Sequence, residues 1–479
     1  MSGRFQNVAI GSLLAFLVVA LSLTQWSVIE RDGLQARADN PRRIEAERAI
    51  QRGSIVDRNG IVLARSEPIG RMLSGAVAQR RVYPQESAFS VTGYYSLIYG
   101  SSGAEFAFDR ALRGAARSDF WAAVLNEALN RPPRGDDLRL TVDAHLQTVA
   151  KQAFGNYRGA AVLLEVPSGA LWALYSAPLY NPNTLDADWE RLRTDPSAPL
   201  LNRALQGTYQ MGGALQLVIY SAMLANPAMQ PQDFSAAHEL INVNGLTIPC
   251  VVQSPDPIES LQSALARGCP RLFAEFAVDY PAEVQEKISA FGLLSAPRLD
   301  GYPVVVDARS TPLNALDDPA DRLQAGAGQG DLTVTPLQMA LVASAIANHG
   351  NLVTPHIAEA LRAPDSEMWE VLPRLPLERA AMTREAAGRM RAALRESVLA
   401  GSAQAAAMPD LPPEATLYAH ASLAFSGEGR NGWLIGFVDL PDGRALAIAV
   451  LVESVEDAQV AARVGGRLLA AAAQRALQD

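Results

Sequence analysis

Leu201-Asn-Arg-Ala-Leu-Gln-Gly-Thr-Tyr-Gln-Met-Gly-Gly-Ala-Leu-Gln-Leu-Val-Ile-Tyr220 is the stretch on which the reading of this chain turns. Its end is apolar and reads as a helix, with Gly212-Gly213 at the loop–helix junction. Two glycines there are either a plain junction or a pair of free N–H groups for an anion.

The surroundings set limits. A chain of 479 residues is too long for one compact core and suits two or three domains. Its net charge of −9, without a Lys/Arg run, gives no electrostatic footprint for nucleic acid. Lys151 and Lys287 are the only lysines, so chemistry that needs an amine has two candidates. The five His are scattered and no Cys/His cluster has metal-ligand spacing, so neither a metal nor another cofactor is expected. Cys250 and Cys269 stand nineteen apart and form either a disulfide or two separate buried thiols.

Between Arg4 and Glu30 there is no charge, and Val8–Ile29 is mostly apolar with Trp26 near its end. About 20 such residues span a bilayer. Residues 1–30 are therefore expected to be a single-pass membrane anchor, with a cleavable signal peptide as the alternative. Arg4 favours a cytoplasmic N-terminus, which puts the bulk of the chain outside the cell membrane.

After Gln51-Arg-Gly-Ser-Ile-Val-Asp-Arg-Asn-Gly60, a second apolar run begins at Ile61, and Asn59-Gly60 marks a hairpin. Arg81-Val-Tyr-Pro84, Thr92-Gly-Tyr94, Tyr99-Gly-Ser-Ser-Gly-Ala-Glu105 and Leu112-Arg-Gly114 follow in order. Residues 131–137 are Pro-, Gly- and charge-rich and mark a boundary. Leu140-Thr-Val-Asp143 leads into a helix over 145–154, and residues 159–175 read as strand, turn, strand. Gly328–Ala340 forms a further block, Ala445–Glu453 a late strand, and 461–477 a closing helix.

These segments, together with Asn202, Arg203, Ala204, Tyr209 and Gly212, resemble the class B penicillin-binding proteins along essentially the whole chain. The resemblance implies an α+β fold in three parts. An N-terminal transmembrane helix (1–30) precedes a β-rich, non-catalytic pedestal domain (31–135), in which Arg52, Asp57 and Glu105 are framework. A penicillin-binding transpeptidase-like domain (136–479) follows, an antiparallel sheet with helices on both sides. The implied chemistry is peptidoglycan D,D-transpeptidation through a Ser ester, with Ser-x-x-Lys, Ser-x-Asn and Lys-Thr-Gly elements.

All three elements are degenerate here. Gly213 and Gln216 stand where the family has Ser and Lys, and Met211 replaces its Pro. In Ala264-Leu-Ala-Arg-Gly-Cys-Pro-Arg-Leu-Phe273, Gly268 and Pro270 take the places of Ser and Asn. His420-Ala-Ser422 is the best register for Lys-Thr-Gly, with Phe425-Ser-Gly427 as a second. No relocated Ser-x-x-Lys exists around either lysine. The expected protein is a catalytically inactive scaffold or regulator of the elongation or division machinery. The resemblance implies a polytopic peptidoglycan glycosyltransferase and other wall-synthesis membrane proteins as partners. An acyl-transferase with an unrecognised nucleophile and a reversible stem-peptide binder, using Gln216 or Ser422 as residual contacts, are the alternatives.

Overall fold

The computed structural model describes residues 2–25, 41–72, 75–116, 132–304, 306, 310–374, 379–427 and 429–478. Its centre is a five-stranded sheet in the order Thr416–Ser426, Gly429–Asp439, Ala445–Val452, Gly159–Val166, Leu171–Ala177. Every neighbouring pair runs antiparallel. Side chains of a strand alternate between faces, and here both faces are buried. Leu446, Ile448 and Val450 join one core with Leu146 and Phe154 of the helix Ala144–Phe154 and Leu468 and Leu469 of Gln459–Ala476. Ala447, Ala449 and Leu451 join the other, with the helices Leu215–Ala225 and Pro336–Ala347. Those two helices are buried almost all round, as their unbroken apolar sequence demands. Pro336–Ala347 is started by a capping box in which Thr335 and Gln338 satisfy each other's backbone N–H groups.

The Asn59-Gly60 hairpin forms as expected, with Ile55–Val56 paired to Val62–Arg71 and Gly60 at φ 85. Asp57 explains its shape. Its Oδ1 accepts from the N–H groups of Asn59 (2.8 Å) and Ile61 (2.7 Å), and its Oδ2 from that of Ala144 (3.0 Å). The hairpin is thus bolted to the first helix of the following domain. The two regions also share a sheet, ordered Glu370–Val371, Ala358–Arg362, Asp137–Leu140, Ile55–Val56, Val62–Arg71, Val77–Val82. Hydrogen bonding therefore runs across the punctuation at 131–137. The first region also carries short helices beside its strands, Phe89–Thr92 and Gly103–Ala107 among them.

A buried ionic knot holds this first region. Glu105, fully buried, takes Arg52 Nη2 at 2.8 Å on one oxygen and Arg81 Nε at 2.5 Å on the other. Arg52 also reaches Asp109 Oδ1 at 2.6 Å and lies over the Tyr95 ring. Burial alone pushes the Glu105 carboxyl up, but Arg81 and Arg52 outweigh it and hold it below its ordinary value.

At the N-terminus a helix runs over Ser2–Thr24, and its apolar side chains from Ile10 to Leu21 are exposed. Among the described residues no helix is long and apolar enough to cross a membrane. The expected span continues to Ile29, and residues 26–40 lie outside the described residues.

Candidate functional site: a filled transpeptidase cleft

The segment 201–220 is held by the residues that carry its resemblance. Arg203 Nε donates to Glu453 Oε1 at 2.7 Å, and the Tyr209 hydroxyl donates to the same oxygen at 2.9 Å. Trp433 Nε1 donates to the Gln210 carbonyl at 3.0 Å. These bonds fix the loop against the sheet and deliver Gly212-Gly213 to the end of the helix Leu215–Ala225. The Gly212 N–H is committed to the Gly328 carbonyl at 2.9 Å, so it is not offered to an anion. Gly212 sits at φ 52, and a Cβ there would lie 2.1 Å from the Leu423 carbonyl oxygen. Only glycine permits so close an approach of the strand Thr416–Ser426.

At Gly213 the same strand decides the chemistry. A Cβ added at Gly213 would lie 2.7 Å from Ser422 Cβ, 3.4 Å from Gln216 Nε2 and 3.5 Å from Ser422 Oγ. A side chain at position 213 would thus meet Ser422. Gly213→Ser is therefore expected to behave as overpacking and to lower stability by about 1–3 kcal/mol in urea denaturation. Gln216 and Ser422 are 4% and 1% exposed, so neither is presented to a ligand as the sequence suggested. Gln216 Oε1 and Ser422 Oγ are buried without a hydrogen-bond partner.

His420 is the hub of the site and is completely buried. Its Nε2 lies 3.3 Å from the Gly213 carbonyl, so Nε2 carries the proton and donates. Its Nδ1 then accepts from Ser402 Oγ, 3.4 Å away. Ser402 Oγ in turn lies 2.9 Å from Ser397 Oγ, and it accepts from the Ala421 N–H at 3.3 Å. Burial pushes the imidazole down to about 4, against partial support from the Gly213 and Leu265 carbonyls. The contact with Gly213 supports the His420-Ala-Ser422 register over Phe425-Ser-Gly427.

Ser402 and Ser397 were not legible as site residues. The Ser402–His420 pair has the composition of a nucleophile and base, yet Ser397, Ser402 and His420 are all 0% exposed. No carbonyl substrate reaches a hydroxyl in that position. The sequence offered no signal for the pair, since neither Ser lies in a motif with His420.

The second element is turned to structure as well. Gly268 ends the helix Leu261–Arg267 in the left-handed region (φ 66, ψ 41), where a side chain is strained. A Cβ there would lie 2.8 Å from Val251 Cγ2 and 3.6 Å from Ser402 Cβ. Val251 is held over this corner by its N–H on the Gly268 carbonyl (3.3 Å) and by the disulfide between Cys250 and Cys269. Pro270 stands immediately before the next helix, Arg271–Asp279, as its N-cap residue. The fold thus gathers Gly213, Gln216, His420, Ser422, Ser402 and the Gly268 corner, and leaves Pro270 as a helix start. Among the described residues no group of three or more His, Cys, Asp or Glu is placed to hold a metal ion.

The five-stranded sheet with helices on both faces is a transpeptidase architecture, and comparison with known proteins agrees. Residues 159–471 match the family model of the penicillin-binding protein transpeptidase domain. Residues 52–138 match that of the penicillin-binding protein A dimerisation domain. The chain belongs to the class B penicillin-binding proteins. It is 34% identical to the peptidoglycan D,D-transpeptidase PbpA of Mycolicibacterium smegmatis, over 76% of each chain. It is 28% identical to PbpA of Mycobacterium tuberculosis over 99% of each chain. Among solved structures it is similar to penicillin-binding protein A from M. tuberculosis as its imipenem acyl-enzyme complex, with TM-score 0.77 and 29% identity. That match covers 89% of this chain and 99% of the other.

Proposed function

We propose that this chain is a non-acylating member of its family, anchored in the cell membrane and acting outside it as a scaffold or regulator of peptidoglycan assembly in elongation or division. One observation carries the reading: Ser422 Cβ stands 2.7 Å from where a Cβ on Gly213 would lie. The position that would bear the acyl group has neither side chain nor room for one. Gln216 offers an amide where a base is needed, and the neutral His420 is sealed behind the Gly213 carbonyl. Loss of a nucleophile or base in a comparable Ser enzyme costs on the order of a million-fold in rate. The relative in M. tuberculosis forms an imipenem acyl-enzyme, which requires a nucleophile that this chain lacks at Gly213.

What is retained supports a role in assembly. The hairpin at Asn59-Gly60, the Glu105 knot and the shared sheet keep the first region rigid and joined to the second. By family resemblance, a polytopic peptidoglycan glycosyltransferase is the partner of that surface, with the segment before Glu30 as the anchor. No cofactor enters this reading.

Two measurements test it. The full-length protein incubated with a fluorescent penicillin is expected to show no covalent band in a denaturing gel, beside a relative that labels. A labelled band would end the non-acylating reading. In detergent-solubilised membranes the tagged chain is expected to co-purify with a polytopic glycosyltransferase. Recovery of the chain alone, with calorimetric binding of a D-Ala-D-Ala peptide, would favour the reversible stem-peptide binder instead.

A further inference from the structure

Cys250 and Cys269, joined as a disulfide, both line a cavity of about 410 Å³ in the transpeptidase-like domain. The exposed residues His238 and Leu240 stand on its wall, with Pro255, Ile258 and Arg267. We propose that this cavity is a thiol–disulfide exchange site for a small, carboxylate-bearing thiol, and that exchange there releases residues 249–258 from the Gly268 corner.

Size and charge select the co-reactant. A space of this volume admits a small molecule and not a folded thiol protein. None of the described residues lining it is acidic. Arg267 Nη1 donates to the Asp256 carbonyl at 2.7 Å, a neutral partner, so its charge meets no carboxylate among the described residues. Glu239, beside His238, is taken by Arg271 at 2.5 Å. A carboxylate on the entering thiol would face Arg267, and Leu240, Pro255 and Ile258 would cover its methylene groups.

The two sulfurs are not equivalent. Cys250 is 6% exposed and Cys269 1%, so the thiolate attacks Cys250 Sγ. A new S–S bond joins the thiol to Cys250, and the old bond breaks with its electron pair on Cys269. The proton of the incoming thiol goes to water, and one disulfide replaces another. Cys269 stands between Arg267 and the start of the helix Arg271–Asp279, and both favour an anion. A stabilised thiolate leaves faster.

The cross-link runs beside two backbone bonds, Val251 N–H to the Gly268 carbonyl (3.3 Å) and Val252 N–H to the Arg267 carbonyl (3.0 Å). Cutting it removes the restraint that holds residue 250 next to 269 and leaves those two bonds to hold the segment alone. The same corner reaches the filled cleft. The Ser402 N–H donates to the Ala266 carbonyl at 2.8 Å, and Ser402 Oγ is the partner of His420. Chemistry at the cavity is thus coupled to the wall of the old active site.

The proposal rests on the geometry of this corner and not on the scaffold reading. The oxidised full-length protein is incubated with 3-mercaptopropionate, 2-mercaptoethanol or cysteamine and quenched at intervals with iodoacetamide under denaturing conditions. Peptide mass mapping locates the adduct. Each rate is divided by that of the urea-unfolded protein, which removes the intrinsic reactivity of the thiol. The expected product carries mercaptopropionate on Cys250 and the alkyl group on Cys269. Its normalised rate should exceed that of cysteamine about fivefold, the worth of one exposed ion pair. Arg267→Gln should bring this ratio close to one; the ratio is the readout because loss of the Asp256 contact itself loosens the loop. Amide exchange at Val251 and Val252 should speed up once the adduct forms. No adduct without urea, an adduct on Cys269, a ratio that Arg267→Gln leaves unchanged, or unaltered amide exchange would overturn the proposal. Penicillin labelling is untouched by any of these results, so the two readings fail separately.

Discussion

Glu105→Ala is expected to lower folding stability by about 3–5 kcal/mol, the cost of leaving buried charges unpaired. The carboxylate is 0% exposed and shared by two guanidinium groups whose side chains are each 3% exposed. Without it Arg52 keeps Asp109, but Arg81 keeps only a long contact to Ser66 Oγ and another to the Arg52 carbonyl, each 3.4 Å. Tyr83, whose hydroxyl donates to Glu105 at 3.3 Å, loses its acceptor too. Glu105→Gln preserves shape and one acceptor, so it should fall between Ala and the native residue. Urea unfolding followed by circular dichroism measures both. A loss under about 1 kcal/mol for Glu105→Ala would mean that the knot is solvated and does not rigidify the first region.

The second large effect is a pH dependence set by His420. The unfolded imidazole titrates near 6.5 and the buried one at about 4. Between those values the unfolded chain binds a proton that the folded chain refuses, so stability is full above about pH 6.5 and falls as the pH drops toward 4. At about 1.4 kcal/mol per pH unit, that window corresponds to about 3 kcal/mol. His420→Gln keeps a donor for the Gly213 carbonyl and removes the titration. Its stability should therefore fall less steeply from pH 6.5 to 4 than that of the native chain. His356 is also held down to about 4 by burial, so the slope lessens rather than vanishes. Identical slopes for the two proteins would show that His420 is not buried as described.

Much of the fold could be read from local pattern. The Asn59-Gly60 turn, the apolar run at Ala445–Val452 and the closing helix announce themselves through turn chemistry and periodicity, and all three form. The shared sheet was not legible, because the pairing of Ala358–Arg362 with Asp137–Leu140 joins segments more than two hundred residues apart. At the site, the absence of Ser and Lys could be read residue by residue at Gly213, Gln216 and His420. What stands in their place could not. That Ser422 fills the place left by Gly213 is a fact about two unremarkable residues on different elements, invisible until strand and helix are set side by side. The same holds for Val251 over Gly268, and for Cys250 and Cys269, whose bond depends on a distance that spacing alone leaves open.

A double-mutant cycle at Gly213 and Ser422 tests the filled cleft most directly. Gly213→Ser should destabilise the native background, where Ser422 Cβ occupies the space. It should destabilise the Ser422→Ala background as well, because Ala removes the unpartnered hydroxyl and keeps the Cβ. In the Ser422→Gly background the cost should largely disappear, a coupling of about 1–3 kcal/mol. Additive effects in all three backgrounds would contradict the account, since position 213 would then have room for the side chain that acylation needs.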